Sequence, residues 1–201
     1  MLKPNGYEEA KTTGEYVAPE TGGHHARILD VKIAKTQTNK DMLVISFDFA
    51  ENDKQAGYFM NQYKDDVRPE KKWPHGGTNY TVCVDNEGKT SRSYKTFCTS
   101  WEHSNNKQVL WIEDDTAWCA QFKNTRIGVV FGKVHSVYQN EEKIRNEMRW
   151  FCSDDKVSEV TIPREKELTD QEKKIVENQA IADGQGLMSI PDGIDEELPF
   201  N

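Results

Sequence analysis

The residues most suggestive of a chemical role are aromatic side chains interleaved with basic ones, mainly between residues 58 and 95. Single-stranded nucleic acid requires this combination, because its bases stack on flat aromatic rings and its phosphates need a cationic groove. We therefore predict that some of these residues stack on bases and that others contact phosphates. The predicted stacking residues are Tyr58, Tyr63, Trp73, Tyr80 and Tyr94, and the predicted phosphate contacts are Lys64, Arg68, Lys71, Lys72, Arg92, Lys95 and Arg149.

The same aromatic residues have a structural alternative. If residues 56–64 form a strand, one of its faces, carrying either Phe59 and Tyr63 or Tyr58, must point into the core. Trp73 differs, because it lies in a loop rich in charge and glycine, where burial is harder to arrange. The sequence leaves open which of these rings are exposed to a ligand.

Apolar residues at every second position predict the strands that would position these side chains. In the first of these strands, Leu29, Val31 and Ile33 share one face. Short connections between successive strands indicate an antiparallel meander. The predicted strands in this half of the chain are 26–35, 42–50 and 56–64.

A helix is predicted after these strands. Residues 65–91 form a long polar stretch with prolines and glycines, for which no regular structure is predicted. The apolar residues within 94–101 then recur at helical spacing. This spacing predicts an amphipathic helix, capped by Ser91 or Ser93.

Two further strands, at 126–134 and 146–155, are predicted to pair as a hairpin. Adjacent strand residues face opposite sides, so at most one of Arg149 and Trp150 is expected to contact a groove. Five strands with a helix between the third and fourth is the order of the OB-fold. The predicted fold class is mainly β: an OB-fold-like five-stranded Greek-key barrel with one helix between strands 3 and 4, plus a C-terminal helix and a disordered acidic tail.

Composition divides the chain into four parts. The first part is polar and lacks periodicity, which is typical of a flexible arm. Residues 169–182 read as a helix that begins with a Thr/Asp cap, and glycine, serine, proline and acids dominate after it. The predicted parts are a flexible arm at 1–23, an OB-fold nucleic-acid-binding domain at 24–164, a helix and linker at 165–182, and a disordered acidic tail at 183–201.

The net charge of −8 is concentrated in the C-terminal part of the sequence. Of 34 acidic and 26 basic residues, residues 165–201 hold ten and three, which leaves 24 and 23 for residues 1–164. A nearly neutral body can still present a basic face. The acidic balance therefore does not exclude a nucleic-acid partner.

The remaining sequence features exclude several classes of protein. Four dispersed cysteines without a Cys-x-x-Cys pair predict free thiols in a reducing cytoplasm and no structural zinc. Neither a signal peptide nor a long apolar run is recognisable, so we expect a cytoplasmic protein without a membrane partner. Phosphate-binding loops, nucleophile elbows, His-Glu-x-x-His and dinucleotide fingerprints are missing from the sequence. We therefore expect no enzymatic activity, no cofactor and no metal.

The last ten residues, DGIDEELPFN, combine acids with an apolar Leu-Pro-Phe group. They resemble the acidic tip of bacterial single-stranded-DNA-binding proteins, although Asn201 follows the Phe that usually ends that tip. The resemblance implies that Phe200 enters an apolar pocket on replication, recombination and repair proteins while the acids meet basic residues, and that the tip competes weakly with DNA. The residues that match the tip are Asp192, Asp195, Glu196, Glu197, Leu198, Pro199 and Phe200.

The body resembles a different family. Its segments GGHHARILDVKIAKT, AGYFMNQYKDD, WPHGGTNY and RIGVVFGKV are similar to small phage and mobile-element proteins of Gram-positive bacteria, over most of residues 22–155. Members of that family are suspected single-strand binders encoded among recombination and replication genes. The resemblance implies a homo-oligomeric phage or prophage protein that coats single-stranded DNA in the host cytoplasm.

Two alternatives from other functional classes remain open. The acidic tail could occupy a host DNA-binding protein, which would make this protein a regulatory DNA mimic. Acids could also form the metal site of a nuclease or nuclease subunit. The acids considered for such a site are Asp65, Asp66, Glu113, Asp114 and Asp115.

Overall fold

The computed structural model describes residues 2–4, 7 and 17–182. Most of the arm predicted at 1–23 and all of the tail predicted at 183–201, with its partner-binding tip, lie outside these residues. Two compact units are present. The larger contains the described residues up to Lys133 together with Asn146–Arg164, and the smaller contains Val134–Arg145 and the described residues from Glu165 onward.

The protein is mainly β, with a five-stranded antiparallel sheet in the order β3-β2-β1-β4-β5 and a few helices. β1 is the central strand, because it pairs with β2 on one side and with β4 on the other. Among the described residues, no helix has the length and apolar character needed to cross a membrane. The elements are β1 (Gly22–Lys35), β2 (Asp41–Phe49), α1 (Tyr58–Asp65), β3 (Thr78–Val82), α2 (Arg92–Asn105), α3 (Asp115–Ala120), β4 (Arg126–Tyr138), β5 (Glu141–Cys152) and α4 (Asp170–Ala182).

The strand predicted at 56–64 is wrong, because most of this segment forms α1. Gly57 begins the helix in the left-handed region, with a φ of 69°. The buried Asp48 of β2 then accepts hydrogen bonds from the backbone N–H groups of Phe59, at 2.9 Å, and Met60, at 3.1 Å. A carboxylate from another element thus satisfies donors that the first turn leaves free. Burial raises the pKa of Asp48 although these hydrogen bonds oppose the rise.

The third strand instead lies inside the polar stretch 65–91, for which no regular structure was expected. β3 is five residues long and pairs with β2, placing Tyr80 opposite Val44. The predicted order of five strands with helical structure between the third and fourth is therefore retained, although a different segment supplies the third strand. This exchange places Tyr80 on a strand and Tyr58 and Tyr63 on a helix.

The predicted face of β1 needs a smaller correction. The register against β2 shifts between Ile28 and Asp30, as at a β-bulge. Residues His24 and Ile28 are buried before this point and Val31 is buried after it, so the buried positions change from even to odd. Leu29 is consequently only half-buried and does not share the face of Val31.

The last two strands form a hairpin with a tighter turn than predicted. β5 begins at Glu141 and ends at Cys152, so it starts earlier and stops earlier than the predicted 146–155. Gln139 and Asn140 connect the strands with φ values of 53° and 64°. Two consecutive left-handed residues are typical of a two-residue hairpin turn.

The core of the larger unit is rich in phenylalanine. α2 follows the prediction: Ser91 caps it by accepting from the backbone N–H of Tyr94 at 3.2 Å, and it buries Phe97 and Trp101. Phe151 of β5 packs on Phe97, with ring centroids 5.1 Å apart. The helix is thereby fixed beside β5. The fully buried phenylalanines are Phe47, Phe59, Phe97, Phe122 and Phe131.

The smaller unit contains α4, which matches the helix predicted at 169–182. Thr169 and Glu172 form a reciprocal capping box, with Thr169 N–H donating to the Glu172 carboxylate at 2.8 Å. His135 contacts the carboxylates of Glu142, at 2.5 Å, and Glu165, at 3.4 Å. The hydrogen bond with Glu142 is the main cause that raises the pKa of His135.

Candidate nucleic-acid interface

A groove of about 510 Å³ lies between β3 and β5 in the larger unit, with α2 along its side. We call it the β3–β5 groove. It brings together Tyr80, Arg92 and Arg149, which the sequence predicted as ligand contacts. Its lining residues are Asn79, Tyr80, Thr81, Arg92, Ser93, Thr96, Arg149, Trp150 and Phe151.

Two exposed aromatic rings belong to this groove. Tyr80 of β3 is 51% exposed and Trp150 of β5 is 41% exposed. Thr81 and Phe151, the next residues in the same two strands, are buried and also line the groove. Each ring belongs to a strand fixed to the core, so a base can stack on it without ordering a loop.

Arg149 is held by the main chain as well as lining the groove. Its Nη1 lies 3.4 Å from the carbonyl oxygen of Lys133 and 3.3 Å from that of Arg164. Strand alternation predicted that at most one of Arg149 and Trp150 would contact a groove. Both residues are among those that line this one, although the Arg149 guanidinium contacts carbonyl oxygens of two residues that do not line it.

A second depression continues from the groove along α2. It shares Arg92 and Thr96 with the groove and adds Lys95 and Thr99, together with the acidic Asp85 at one end of its lining. We call it the α2 depression. Arg92 and Lys95 are both exposed and are three residues apart on the helix, so they share one face. The groove and the depression together offer aromatic, cationic and hydroxyl groups along one path.

The other predicted aromatic residues are engaged in packing. Tyr63 lies against Trp73, with ring centroids 5.8 Å apart, and Trp73 donates from Nε1 to the carbonyl of Gly77 at 2.9 Å. A Cβ at Gly77 would lie 2.7 Å from that nitrogen, so only glycine fits beneath the indole. Tyr58 packs against Phe59 at 5.0 Å. All three predicted rings are half-buried.

The basic residues near Trp73 lie in surroundings of mixed charge. Arg68 pairs with Asp66 through Nε and Nη2 at distances of 2.8 to 3.0 Å, and this pairing holds the pKa of Asp66 well below its usual range. Lys71 donates from Nζ to the carbonyl of Lys64 at 2.7 Å. Lys72 lines a shallow pocket with Asp66 and Arg68. This region is mixed in charge, unlike the β3–β5 groove.

Tyr94 faces a different surface from Arg92 and Lys95, the predicted phosphate contacts on the same helix. Its ring stacks on Trp118 at 6.4 Å, and it lines a pocket that does not include Arg92 or Lys95. Burial raises the pKa of the Tyr94 hydroxyl. One helix thus directs Tyr94 and Arg92 to different surfaces, because residues two apart do not share a helix face.

Trp150 was not among the predicted contacts, because at most one of Arg149 and Trp150 was expected to contact a groove. The seven residues of the predicted tip, Asp192 to Phe200, lie outside the described residues. The acids considered for a nuclease fall on two elements, the end of α1 and the start of α3. Across the described ranges, no group of three or more His, Cys, Asp or Glu residues is arranged to hold a metal ion.

No protein-family model matches this sequence, and no curated protein shows significant similarity to it.

Proposed function

We propose that this protein binds single-stranded DNA in the β3–β5 groove and the α2 depression. The observation that carries the proposal is the convergence of two exposed rings, Tyr80 and Trp150, with Arg92 and Arg149 in one groove. Bases would stack on the rings, at about 1–3 kcal/mol each. The two arginines and Lys95 would contact phosphates.

The strand order supports an OB-fold-like barrel. β1, β2 and β3 are neighbours in sequence, and β4 returns through a long connection to lie beside β1, which is the order of a Greek key. β3 and β5, the two edges of the sheet, line the same groove. We propose that the sheet curves into a partly open barrel whose opening is the groove. Tyr80 lies on strand 3, which OB-folds use with strand 2 for oligonucleotides.

The wider role rests on the resemblances found in the sequence. We propose a phage or prophage protein that coats single-stranded DNA during replication or recombination in the cytoplasm of its host. It would act as a homo-oligomer and without catalysing a reaction. Residues 192–200 would recruit partner enzymes.

The first test is binding of a fluorescently labelled oligo-dT, followed by anisotropy at several salt concentrations, with a duplex of equal length as control. We expect saturable binding of the single strand alone. The logarithm of affinity should fall with the logarithm of salt, with a slope of about −0.7 for each neutralised phosphate. Equal binding of the duplex, or a flat salt dependence, would contradict the proposal.

Tryptophan fluorescence locates the contact. Stacking on Trp150 should quench part of the intrinsic emission during the same titration. Trp150→Phe should remove most of that quenching while retaining much of the affinity, because phenylalanine still offers a flat face. Quenching that persists unchanged in Trp150→Phe would show that the strand lies elsewhere.

The tip is tested by removing residues 192–201. We expect DNA affinity to stay equal or to rise, because the acids of the tip no longer compete with phosphates. Recruitment of a host replication protein to protein-coated DNA should be lost. Weaker DNA binding by the shortened chain would contradict the competition.

Two simple results would favour the alternatives. A protein that binds no oligonucleotide at any salt concentration would point to the regulatory DNA mimic. Shortening of a labelled strand in the presence of magnesium or manganese, abolished by substitution of Asp65 and Asp66, would point to the nuclease.

A further inference from the structure

The larger unit carries a second exposed surface, which the proposed function does not use. It is a pocket of about 460 Å³ between α2, α3 and the edge of β1 and β2. We call it the Trp111 pocket. Its apolar lining residues are Ile33, Leu43, Tyr94, Trp111, Ile112 and Trp118.

Three consecutive large apolar residues are exposed here, and the last two of them line the pocket. Trp111 is 72% exposed, and Leu110 and Ile112 on either side of it are also exposed. Single exposed apolar residues are ordinary, but a contiguous exposed group marks a site of interaction. Tryptophan is also the residue most enriched among the energetic centres of protein interfaces.

This apolar segment is held in its exposed position. The side chain of Gln121 accepts from the backbone N–H of Leu110 at 2.9 Å and donates to the Leu110 carbonyl at 3.1 Å. Val109, the preceding residue, is buried. Trp111 stacks on Trp118 with ring centroids 6.2 Å apart. Because the segment is ordered before any partner arrives, binding to it loses little conformational entropy.

The charges around the pocket select the partner. Lys35 is paired with Asp41 at 2.7 Å, which leaves Asp115 as the further charged lining residue. Glu113 and Asp114 are exposed between Ile112 and Asp115. This rim repels phosphates, and it equally disfavours the acidic tip of this chain. It attracts lysine and arginine.

We propose that the Trp111 pocket binds a peptide segment of a partner protein that carries an apolar or aromatic anchor flanked by lysine or arginine. The anchor packs on Trp111, and the basic flank meets Glu113 and Asp115. Peptide binding at the Trp111 pocket does not require that the protein also binds DNA.

The test begins with a phage-displayed library of random dodecapeptides selected on the full-length protein, with Trp111→Ala protein used to remove other binders. We expect enriched peptides with an apolar anchor beside basic residues. A synthetic peptide from the selection should lose at least tenfold in affinity with Trp111→Ala. It should lose a few-fold with Glu113→Gln combined with Asp115→Asn, and nothing with Trp150→Ala.

Nuclear magnetic resonance of the indole groups tests where the peptide binds. The Trp111 Nε1–H signal, assigned with Trp111→Phe, should shift when the peptide binds, because Trp111 is the most exposed ring of this pocket. The Trp150 signal should stay unchanged, because Trp150 lines the other surface. An unmoved Trp111 signal would overturn the proposal.

Other outcomes would overturn the proposal as a whole. These are a selection without enrichment, or enriched peptides that bind Trp111→Ala as tightly as the unchanged protein. Weakened oligo-dT binding by Trp111→Ala would assign the pocket to nucleic acid. Loss of self-association in sedimentation experiments with Trp111→Ala would assign it to a second copy of this chain. Since DNA binding is measured separately, failure here is distinguishable from failure of the proposed function.

Discussion

The β3–β5 groove and the Trp111 pocket are similar in size and in having an exposed tryptophan, yet they differ in charge. Their volumes are about 510 and 460 Å³. Arg92 and Arg149 line the first, whereas the second has an acidic rim that includes Asp115. Exposed rings alone therefore do not identify a ligand. The charges beside the rings decide whether phosphate or a basic side chain is favoured.

α2 contributes to both surfaces and keeps them apart. Arg92 and Thr96 face the groove, and Tyr94 faces the Trp111 pocket. Aromatic and basic residues that alternate along a helix are thus divided between two surfaces. Aromatic and basic residues that alternate in the sequence line the same groove only when the secondary structure places them on the same face.

The largest expected effect comes from reversing the positive charges of the β3–β5 groove and the α2 depression. Arg92→Glu combined with Lys95→Glu should lower oligo-dT affinity by about a hundredfold at low salt and flatten the salt slope by about 1.4, because two phosphate contacts are lost. Both residues are exposed, so the fold should be unaffected. Anisotropy titrations measure the effect.

The matched control carries the same change of charge elsewhere. Lys32 and Lys123 are exposed and lie beside Asp30. Lys32→Glu combined with Lys123→Glu should alter affinity only a few-fold. An equal loss in both double variants would mean that overall charge, and not the groove, controls binding.

The next effect concerns the rings. Tyr80→Ala and Trp150→Ala should each weaken oligo-dT binding by about 30-fold, which corresponds to about 2 kcal/mol for the loss of one stacked base. Trp111→Ala removes a more exposed ring from the other surface and should leave the affinity within about twofold. If Trp111→Ala weakened binding as much as Trp150→Ala, the distinction between the two surfaces would fail.

A third variant separates packing from binding. Trp73→Ala should lower the free energy of unfolding by about 2 kcal/mol, because a half-buried indole and its hydrogen bond to Gly77 are removed. Oligo-dT affinity should change less than for Tyr80→Ala. Urea unfolding and anisotropy measure the two quantities. A stable Trp73→Ala protein that no longer binds DNA would place Trp73 among the ligand contacts.

The smallest expected effect concerns Gly77. Gly77→Ala places a methyl group against Trp73 and Phe59, and it should destabilise the protein by about 1–3 kcal/mol. The folded fraction should bind oligo-dT with nearly unchanged affinity. Binding measured well below the unfolding transition tests this. A large loss of affinity there would connect this packing to the groove.

The sequence predicted the elements whose signal is local. Strands β1, β2 and β4 follow from alternation or continuous apolar residues, and α2 and α4 follow from helical spacing and their caps. The segment of α1 was misread, because the carboxylate that caps it comes from Asp48 on another strand. β3 was missed, because five residues among glycines and prolines show little periodicity.

The structure brings some of the predicted contact residues together and engages others in packing. Tyr80, Arg92 and Arg149 were predicted as contacts and converge in the groove. Trp150 was left out, because strand alternation was expected to direct only one of Arg149 and Trp150 to a groove, and Arg149 was chosen. Tyr63 was included on residue type alone, although its ring packs on Trp73.

The position of β1 between β2 and β4 has a consequence for synthesis on the ribosome. β2 follows β1 after a short turn, so their pairing is available early. The other edge of β1 can pair only after β4 has been synthesised, since Gly22 pairs with Phe131. About a hundred residues must be made in between, which takes roughly 5–20 s. During that interval an unpaired strand edge is open to other nascent chains. The yield of folded protein is therefore expected to depend on the rate of translation as well as on native stability.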